Sequence, residues 1–348
     1  MTVSIREVAR QAGVSRQTVS GVLGNLQHLY REETCQRVLD VARRLNYRPN
    51  GAAKAVFRRT MQNIGVLLIN TAGSDPEHVS YNHSVFELLL GINARLQKHN
   101  YMMSLINVYD VDGDSGGQSR IFSERLIDGL VIIGKLDCSV TEKLLYSLDI
   151  PLLWLEANVW QERGCVRRDE EHAGRLAAEK AVAAGYRRLL YAGFPPIPVG
   201  DHFSAQLRWD GVRNQSRESG VELESVIAAS CHFSDIDLPG IRRGLEPDTA
   251  VIAYDGDMAA WLHIEMARNG LLAGRDYGLC SCEDYGSSIA RILPDLARVH
   301  FDRFRLGREA GGMILRKVEA KGERPMENSL MIRDDWLPGN TLPDRTGG

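Results

Sequence analysis

Apolar positions change their period along this chain, and the change divides it. From Ile5 to about Leu45 they recur at helical spacing: Ile5, Val8 and Ala9, then Val19, Val22 and Leu23, then Val38, Leu39, Val41, Ala42 and Leu45. Gly13 separates the first two sets and offers the positive φ that lets a chain leave a helix and turn sharply. Ser15 follows as an N-cap, its hydroxyl free to accept from the next turn. The second helix then sends Val19, Val22 and Leu23 inward and leaves Arg16, Gln17, Ser20 and Gly21 outward. A third helix is predicted from about Arg31 to Leu45. Pro49, in Tyr47-Arg48-Pro49-Asn50, stops it, and Asn50 can cap a short fourth helix. Two short helices about a glycine turn, the second opening with Arg and Gln, have the form that a major-groove reader requires.

Past a polar linker, Arg58 to Gln62, the pattern changes. Asn63 to Asn70 is apolar enough for a buried strand, and strands and helices then alternate. Helices are predicted over 85–99, 120–126, 141–148, 171–184, 206–219 and 257–269. Strands are predicted over 102–108, 129–133, 150–155, 188–192, 250–254 and 277–282. Strands that are apolar throughout, alternating with amphipathic helices, predict parallel sheets covered on both faces. Two such rounds suggest two similar α/β lobes with a cleft between them, and in such sheets ligands bind at the carboxyl ends of strands. The fold class is therefore α/β, with a small all-α helix-turn-helix head.

Composition sharpens this division. The 348 residues carry a net charge of −3, which alone argues against nucleic acid. Residues 1–60, however, hold eleven Lys and Arg against four acids, a net +7, which leaves −10 for the rest. A basic head on an acidic body is the asymmetry expected when only the head meets phosphate. No segment approaches 18 consecutive apolar residues and no apolar leader opens the chain, so a cytoplasmic protein is expected, with no membrane partner. Six cysteines lie scattered without metal spacing, and no metal or cofactor is expected. Cys280 and Cys282 fall on one face of a predicted strand, which favours buried free thiols. Phosphate-cradling glycine loops, the His-Glu-x-x-His motif and the Gly-x-Ser-x-Gly elbow are all missing, so an enzyme is disfavoured.

The pieces Val8-Ala9, Ala12-Gly13-Val14-Ser15, Thr18-Val19-Ser20 and Tyr47-Arg48-Pro49-Asn50, with the Ala-rich segment that follows, resemble the lactose/galactose repressor (LacI/GalR) family of bacterial transcription regulators. The resemblance runs to about Leu337. It implies a body like the periplasmic sugar-binding proteins, two doubly wound parallel-sheet lobes between which the chain crosses three times. The expected organisation is a DNA-binding head over 1–48, a hinge helix and linker over 49–62, and a two-lobed effector-binding and dimerisation body over 63–340. Lobe 1 would take 63–160 and 298–324, and lobe 2 would take 161–297 and 325–340, with the segment near Leu330 in lobe 2. The tail, 341–348, reads as disordered.

Arg16 and Gln17 lie in the first turn of the second helix, where side chains reach base edges. Arg suits guanine and Gln suits adenine, while Thr18 and Ser20 suit phosphates. The resemblance adds Ser15 and Tyr47 in the head, and Asn50, Ala53, Lys54 and Val56 in a hinge helix that enters the minor groove. There Val56 would wedge the central base step. Family members often carry arginine where this chain has Gly21, so one candidate base contact is missing. In the body the resemblance makes Arg208 a ligand-binding arginine, able to hold two ligand oxygens. Glu156, Asp255 and Glu283 each follow a strand's carboxyl end and match pocket positions. Trp154, Tyr254 or Trp209 can cover a sugar ring, and Asn82 and His83 line the mouth. The expected partners are a near-palindromic DNA duplex, a small-molecule effector such as a sugar or sugar derivative, and a second copy of the chain. A sugar-binding protein or a carbohydrate-acting enzyme without a DNA role is the alternative.

Overall fold

The computed structural model describes residues 3–24, 26–49, 60–69, 83–107, 120–134, 145, 147–194, 202–229, 232–284, 293–320 and 326–347. Two compact units result, Met1–Gln62 and Asn63–Gly348. The expected hinge residues Asn50, Ala53, Lys54 and Val56, and the mouth residue Asn82, lie outside the described residues.

Among the described residues the head has three α-helices, α1 (Ile5–Ala12), α2 (Arg16–Leu23) and α3 (Glu32–Arg44), with a 3-10 turn at Gln27–Leu29. Ser4 caps α1 by accepting from the Glu7 N–H. Gly13 ends it at φ 63°, and the Val14 N–H bonds back to the Ala9 carbonyl at 3.1 Å. The turn thus closes on a residue that carries no Cβ penalty in the left-handed region. Val8, Ala9, Ala12, Val19, Val22, Cys35, Val38, Val41 and Ala42 make the buried core. One expectation is corrected here. Gly21 does not face outward but is buried, and a Cβ on it would collide with the Tyr30 ring.

Among the described residues the body holds two six-stranded sheets. The first contains β1 (Asn63–Ile69), β2 (Met102–Asn107), β3 (Gly129–Gly134), β4 (Leu152–Leu155), β5 (Cys165–Arg168) and β11 (Leu330–Ile332), in the order β11-β5-β4-β3-β1-β2. The second contains β6 (Arg188–Gly193), β7 (Glu222–Ile227), β8 (Thr249–Ala253), β9 (Gly278–Ser281), β10 (Ala297–His300) and β12 (Asp335–Leu337), in the order β12-β10-β9-β8-β6-β7. All pairings are parallel except β10 with β12. The helices are α4 (His83–Lys98), α5 (Arg120–Ser123), α6 (Glu170–Ala183), α7 (Ser204–Ser219), α8 (Leu238–Gly244), α9 (Gly256–Arg268) and α10 (Arg303–Glu319). Helices α4 and α10 cover the first sheet through Leu88, Ile92, Leu96, Leu306, Ala310 and Ile314. Helix α6 covers one face of the second sheet through Ala173, Ala177, Ala178 and Ala181, and α9 covers the other through Met258, Ala259 and Leu262. The helix expected over 141–148 falls largely outside the described residues.

The lobe boundaries differ from those expected. Strand β5 extends the first sheet beside β4, so lobe 1 continues to Arg168 rather than stopping at 160. Leu330 pairs with Val166 and belongs to lobe 1, not lobe 2. Strand β10 pairs with β9, so 297–300 stay in lobe 2 and the return to lobe 1 begins with α10. In each case the ladder register decides the lobe, because these strands are only three or four residues long, too short for periodicity to find, and β5 and β10 also carry arginines. The tail is also corrected. Thr341 and Leu342 are buried, the Leu279 N–H donates to the Thr341 carbonyl at 2.8 Å, and the Arg345 N–H donates to Ala184 at 2.8 Å. The segment packs on lobe 2 because it satisfies backbone groups of β9 and the end of α6.

Candidate functional site

The DNA-facing candidates of the head fall into two kinds. Ser15 caps α2, its Oγ accepting from the Thr18 N–H at 3.0 Å and lying 2.9 Å from the Thr18 hydroxyl. Directly after it, at the N-terminal turn of α2, Arg16 and Gln17 stand exposed, as does Ser20 one turn on. Ser15 thus fixes the helix start while Arg16 and Gln17 keep their donors outward. Tyr47 differs from these. It is half-buried against the head core, and burial pushes its phenol above the ordinary value.

In the body, the three segments that cross between the lobes all deliver charge to one buried cluster. The first crossing ends β5 with Arg168, caps α6 with Asp169 and begins that helix with Glu170. The second ends β10 with His300, caps α10 with Asp302 and begins that helix with Arg303. The third carries Asp334 between β11 and β12. Arg208 joins from α7. Its placement depends on Gly174 of α6 and Gly211 of α7, where a Cβ would collide with the Arg208 carbonyl and the Glu171 carbonyl respectively. The two helices approach that closely only because both positions are glycine.

Arg208 is fully buried. Its Nε donates to Glu170 at 2.6 Å, one terminal nitrogen donates to the Tyr254 carbonyl at 2.8 Å, and the other pairs with Glu283. Arg168 pairs with Glu156, with Glu283, and with Glu170 at 2.9 Å. Arg303 pairs with Glu283 and donates to Asp284 at 3.2 Å. His300 lies 2.6 Å from Asp284, which also faces Arg298 at 3.6 Å. Glu156 and Arg168 come from lobe 1, Glu170, Arg208 and Glu283 from lobe 2, so the network bridges the lobes. Burial raises the Glu283 carboxyl, but Arg168, Arg208 and Arg303 outweigh it and hold that group below the usual range. Glu170 is lowered likewise, burial being overcome by Arg168 and Arg208. For Glu156 burial wins over Arg168 and the carboxyl is raised.

Glu156, Arg208 and Glu283, read separately from the sequence, are thus brought together. Asp255 lies beside them as the N-cap of α9, accepting from the Met258 N–H at 2.8 Å, and burial pushes it up to about 7. Tyr254 lies at the same site, its hydroxyl 2.5 Å from Ser204 Oγ and its ring 4.4 Å from the Arg208 guanidinium. Two aromatics are placed elsewhere. Trp154 is buried in the core of lobe 1, correcting the sugar-covering role expected for it, because its strand position points inward. Trp209 packs on Tyr191 at 5.4 Å in the lobe 2 core, one helix position round from Arg208. The reading missed Arg168, Glu170, Asp284, Arg303 and Asp334. For Arg168 and Glu170 the signal is the charge run Arg167-Arg168-Asp169-Glu170-Glu171, which by sequence alone reads as a solvated face.

A basic helix-turn-helix unit and a two-lobed α/β body with a charged inter-lobe site define a ligand-responsive DNA-binding regulator. The head carries a lacI-family DNA-binding domain and the body a periplasmic-binding-protein-like one: residues 4–50 match "Bacterial regulatory proteins, lacI family", and residues 178–341 match "Periplasmic binding protein-like domain". The chain is a helix-turn-helix regulator of transcription with an effector domain, and its relatives are regulators rather than enzymes. Among these, the "HTH-type transcriptional regulator PtxS" of Pseudomonas putida is 28% identical over 97% of this chain and 96% of its own length. The "HTH-type transcriptional repressor PurR" of Vibrio vulnificus is 24% identical over 95% and 98%. The fold is that of the Lac repressor dimer bound to operator and the anti-inducer ONPF, with TM-score 0.74, 20% identity, and coverage of 99% of this chain and 100% of that one. No helix among the described residues is long and apolar enough to cross a membrane.

Proposed function

We propose that the protein is a repressor acting as a homodimer on a near-palindromic operator, its affinity set by a small molecule, a sugar or sugar derivative, held between the lobes. The observation that carries this reading is the capped N-terminus of α2, which leaves Arg16 and Gln17 exposed on a unit of net charge +7 over residues 1–60. Each bidentate base contact from such residues discriminates by about 1–3 kcal/mol. Thr18 and Ser20 supply phosphate contacts, and Asn50, Ala53, Lys54 and Val56 form the hinge that enters the minor groove. One head meets half a site, so a two-fold operator follows from a two-fold dimer. Lobe 1 supports a second copy with exposed apolar side chains: Phe86 and Leu90 on α4, Met102 and Leu105 on β2, and Phe304 on α10. The cytoplasm is where such a regulator meets its DNA.

The effector acts through the network. Arg208, Glu156 and Glu283 have no spare partners, so a ligand entering there replaces one protein oxygen or nitrogen with its own and changes which lobe each arginine holds. A ligand that prefers one lobe arrangement shifts the equilibrium by its difference in affinity, and a coupling of about 1–3 kcal/mol is typical. The test is selection of duplexes from a random pool, with and without a library of sugars and sugar phosphates. A two-fold consensus whose recovery depends on salt and on one library member is the expected result. A folded dimer that retains no duplex would overturn the proposal.

A further inference from the structure

We infer that the inter-lobe crevice selects an anionic effector, a ring compound bearing a carboxylate or phosphate, and that Arg167 is the residue that grips the anion. This rests on the crevice being the effector site. Arg168, Arg208 and Arg303 are each paired with two or more carboxylates. Arg167, their neighbour on β5, is not: among the described residues no carboxylate lies within ion-pair distance of it, and its buried Nε has no hydrogen-bond partner. Two aromatic rings hold it instead. The guanidinium carbon lies 4.2 Å from the Trp160 ring centre and 5.0 Å from that of Phe203. A ring face attracts the cation but does not occupy its N–H donors as a carboxylate does. Arg167 is therefore placed, charged and only half-buried, with donors left over.

Its position is at the lobe boundary. Trp160 and Arg167 come from lobe 1, and Phe203 is the N-cap residue of α7 in lobe 2, its N–H donating to Asn158 of lobe 1 at 3.1 Å. From Phe203 the aromatic lining continues into lobe 2. Ser204 binds the Tyr254 hydroxyl, Tyr254 meets Phe194 edge-on at 5.2 Å, and Phe194 stacks on Phe233 at 5.7 Å. Phe194 and Tyr254 directly follow β6 and β8, and Phe233 lies in a 3-10 turn beyond β7, so a ligand ring can pack along the edge of this aromatic group while its charged substituent reaches Arg167. A carboxylate or phosphate offers the paired oxygens that a guanidinium fork takes up; a neutral hydroxyl offers one weaker acceptor.

Isothermal titration of the full-length protein with glucuronate, glucose 6-phosphate and ribose 5-phosphate, against neutral glucose and ribose, tests this. At least one acid should bind about tenfold or more tightly than its neutral parent, and the series that responds tells carboxylate from phosphate. Arg167→Gln should abolish that preference, and Arg167→Lys, which keeps the charge but not the fork, should restore part of it. Thermal unfolding of both variants checks that they fold, and the lysine variant carries the test if the glutamine variant does not. Acids binding no better than neutral sugars, no binding by any acid, or an acid preference that survives in both variants each overturns the inference. Operator binding by the same samples is a separate readout: its loss would count against the regulator reading, not against the role of Arg167.

Discussion

Arg16 and Arg208 are the same residue type put to opposite uses, and the contrast separates the two units. Arg16 stands exposed on the first turn of a capped helix. Arg208 has no exposed surface and three partners, all from its own chain. A surface cation is inexpensive to keep charged and available, which suits a partner that arrives as a row of phosphates and base edges. A buried cation survives only if its charge is answered, because the desolvation cost of several kcal/mol per ion must be offset within the fold. The head thus keeps Arg16 exposed for another molecule, while the body buries a cluster of charges that bridges its two lobes.

The largest test of this contrast removes Arg208. Arg208→Ala leaves Glu170 and Glu283 buried beside an empty space, and breaking such a pair costs about 3–5 kcal/mol. All five tryptophans lie in the body, so their fluorescence during urea unfolding reports that unit alone. A loss below about 1 kcal/mol, the range of exposed pairs, would mean the network does not hold the lobes. Arg16→Ala should leave this body transition untouched while costing about 1–3 kcal/mol of specific operator affinity. Equal loss on specific and random duplexes would move Arg16 from base edge to phosphate.

Asp334 sharpens the comparison through pH. Both of its oxygens are buried without a hydrogen bond, and burial, with Glu170 nearby, pushes its pKa to about 9. The folded protein therefore keeps this proton at pH values where the unfolded chain, near 3.8, has lost it. Fewer protons on the unfolded state mean that stability falls as pH rises between these values. Asp334→Asn should stabilise the body by about 1–3 kcal/mol at pH 8 and change little near pH 4, read from unfolding curves at each pH. A gain that is the same at both would place the effect outside titration. The smallest effect is Ser15→Ala, which removes the α2 cap and should cost the head about 1 kcal/mol, measured by amide exchange in α2 and α3.

Much of the head was legible because its signals are local. Gly13 and Ser15 act within four residues, and the apolar periodicity of three short helices leaves few ways to pack them. Gly21 was misplaced because what fills the space beside it, Tyr30, lies nine positions away in a loop that periodicity does not describe. In the body, long apolar strands such as Asn63–Ile69 and Thr249–Ala253 announced themselves. Strand β5 did not, since two of its four residues are arginines. Glu156, Arg208 and Glu283 were read as neighbours of a cleft, yet nothing in the sequence shows that they hold one another. The partners of Arg208 lie 38, 46 and 75 residues away.

The order of amino acids by itself determined the kinds of element, the basic and acidic units, and which short turn presents Arg16 and Gln17, since each follows from interactions within a few residues. Only the tertiary structure decided which charges face outward and which neutralise one another, where the chain changes lobes, and that Arg167 alone among the crevice arginines, within the described residues, meets rings in place of carboxylates. The physical reason is range: caps and periodicity act between near neighbours in sequence, whereas the burial of a charge depends on what the whole fold brings within a few ångströms of it.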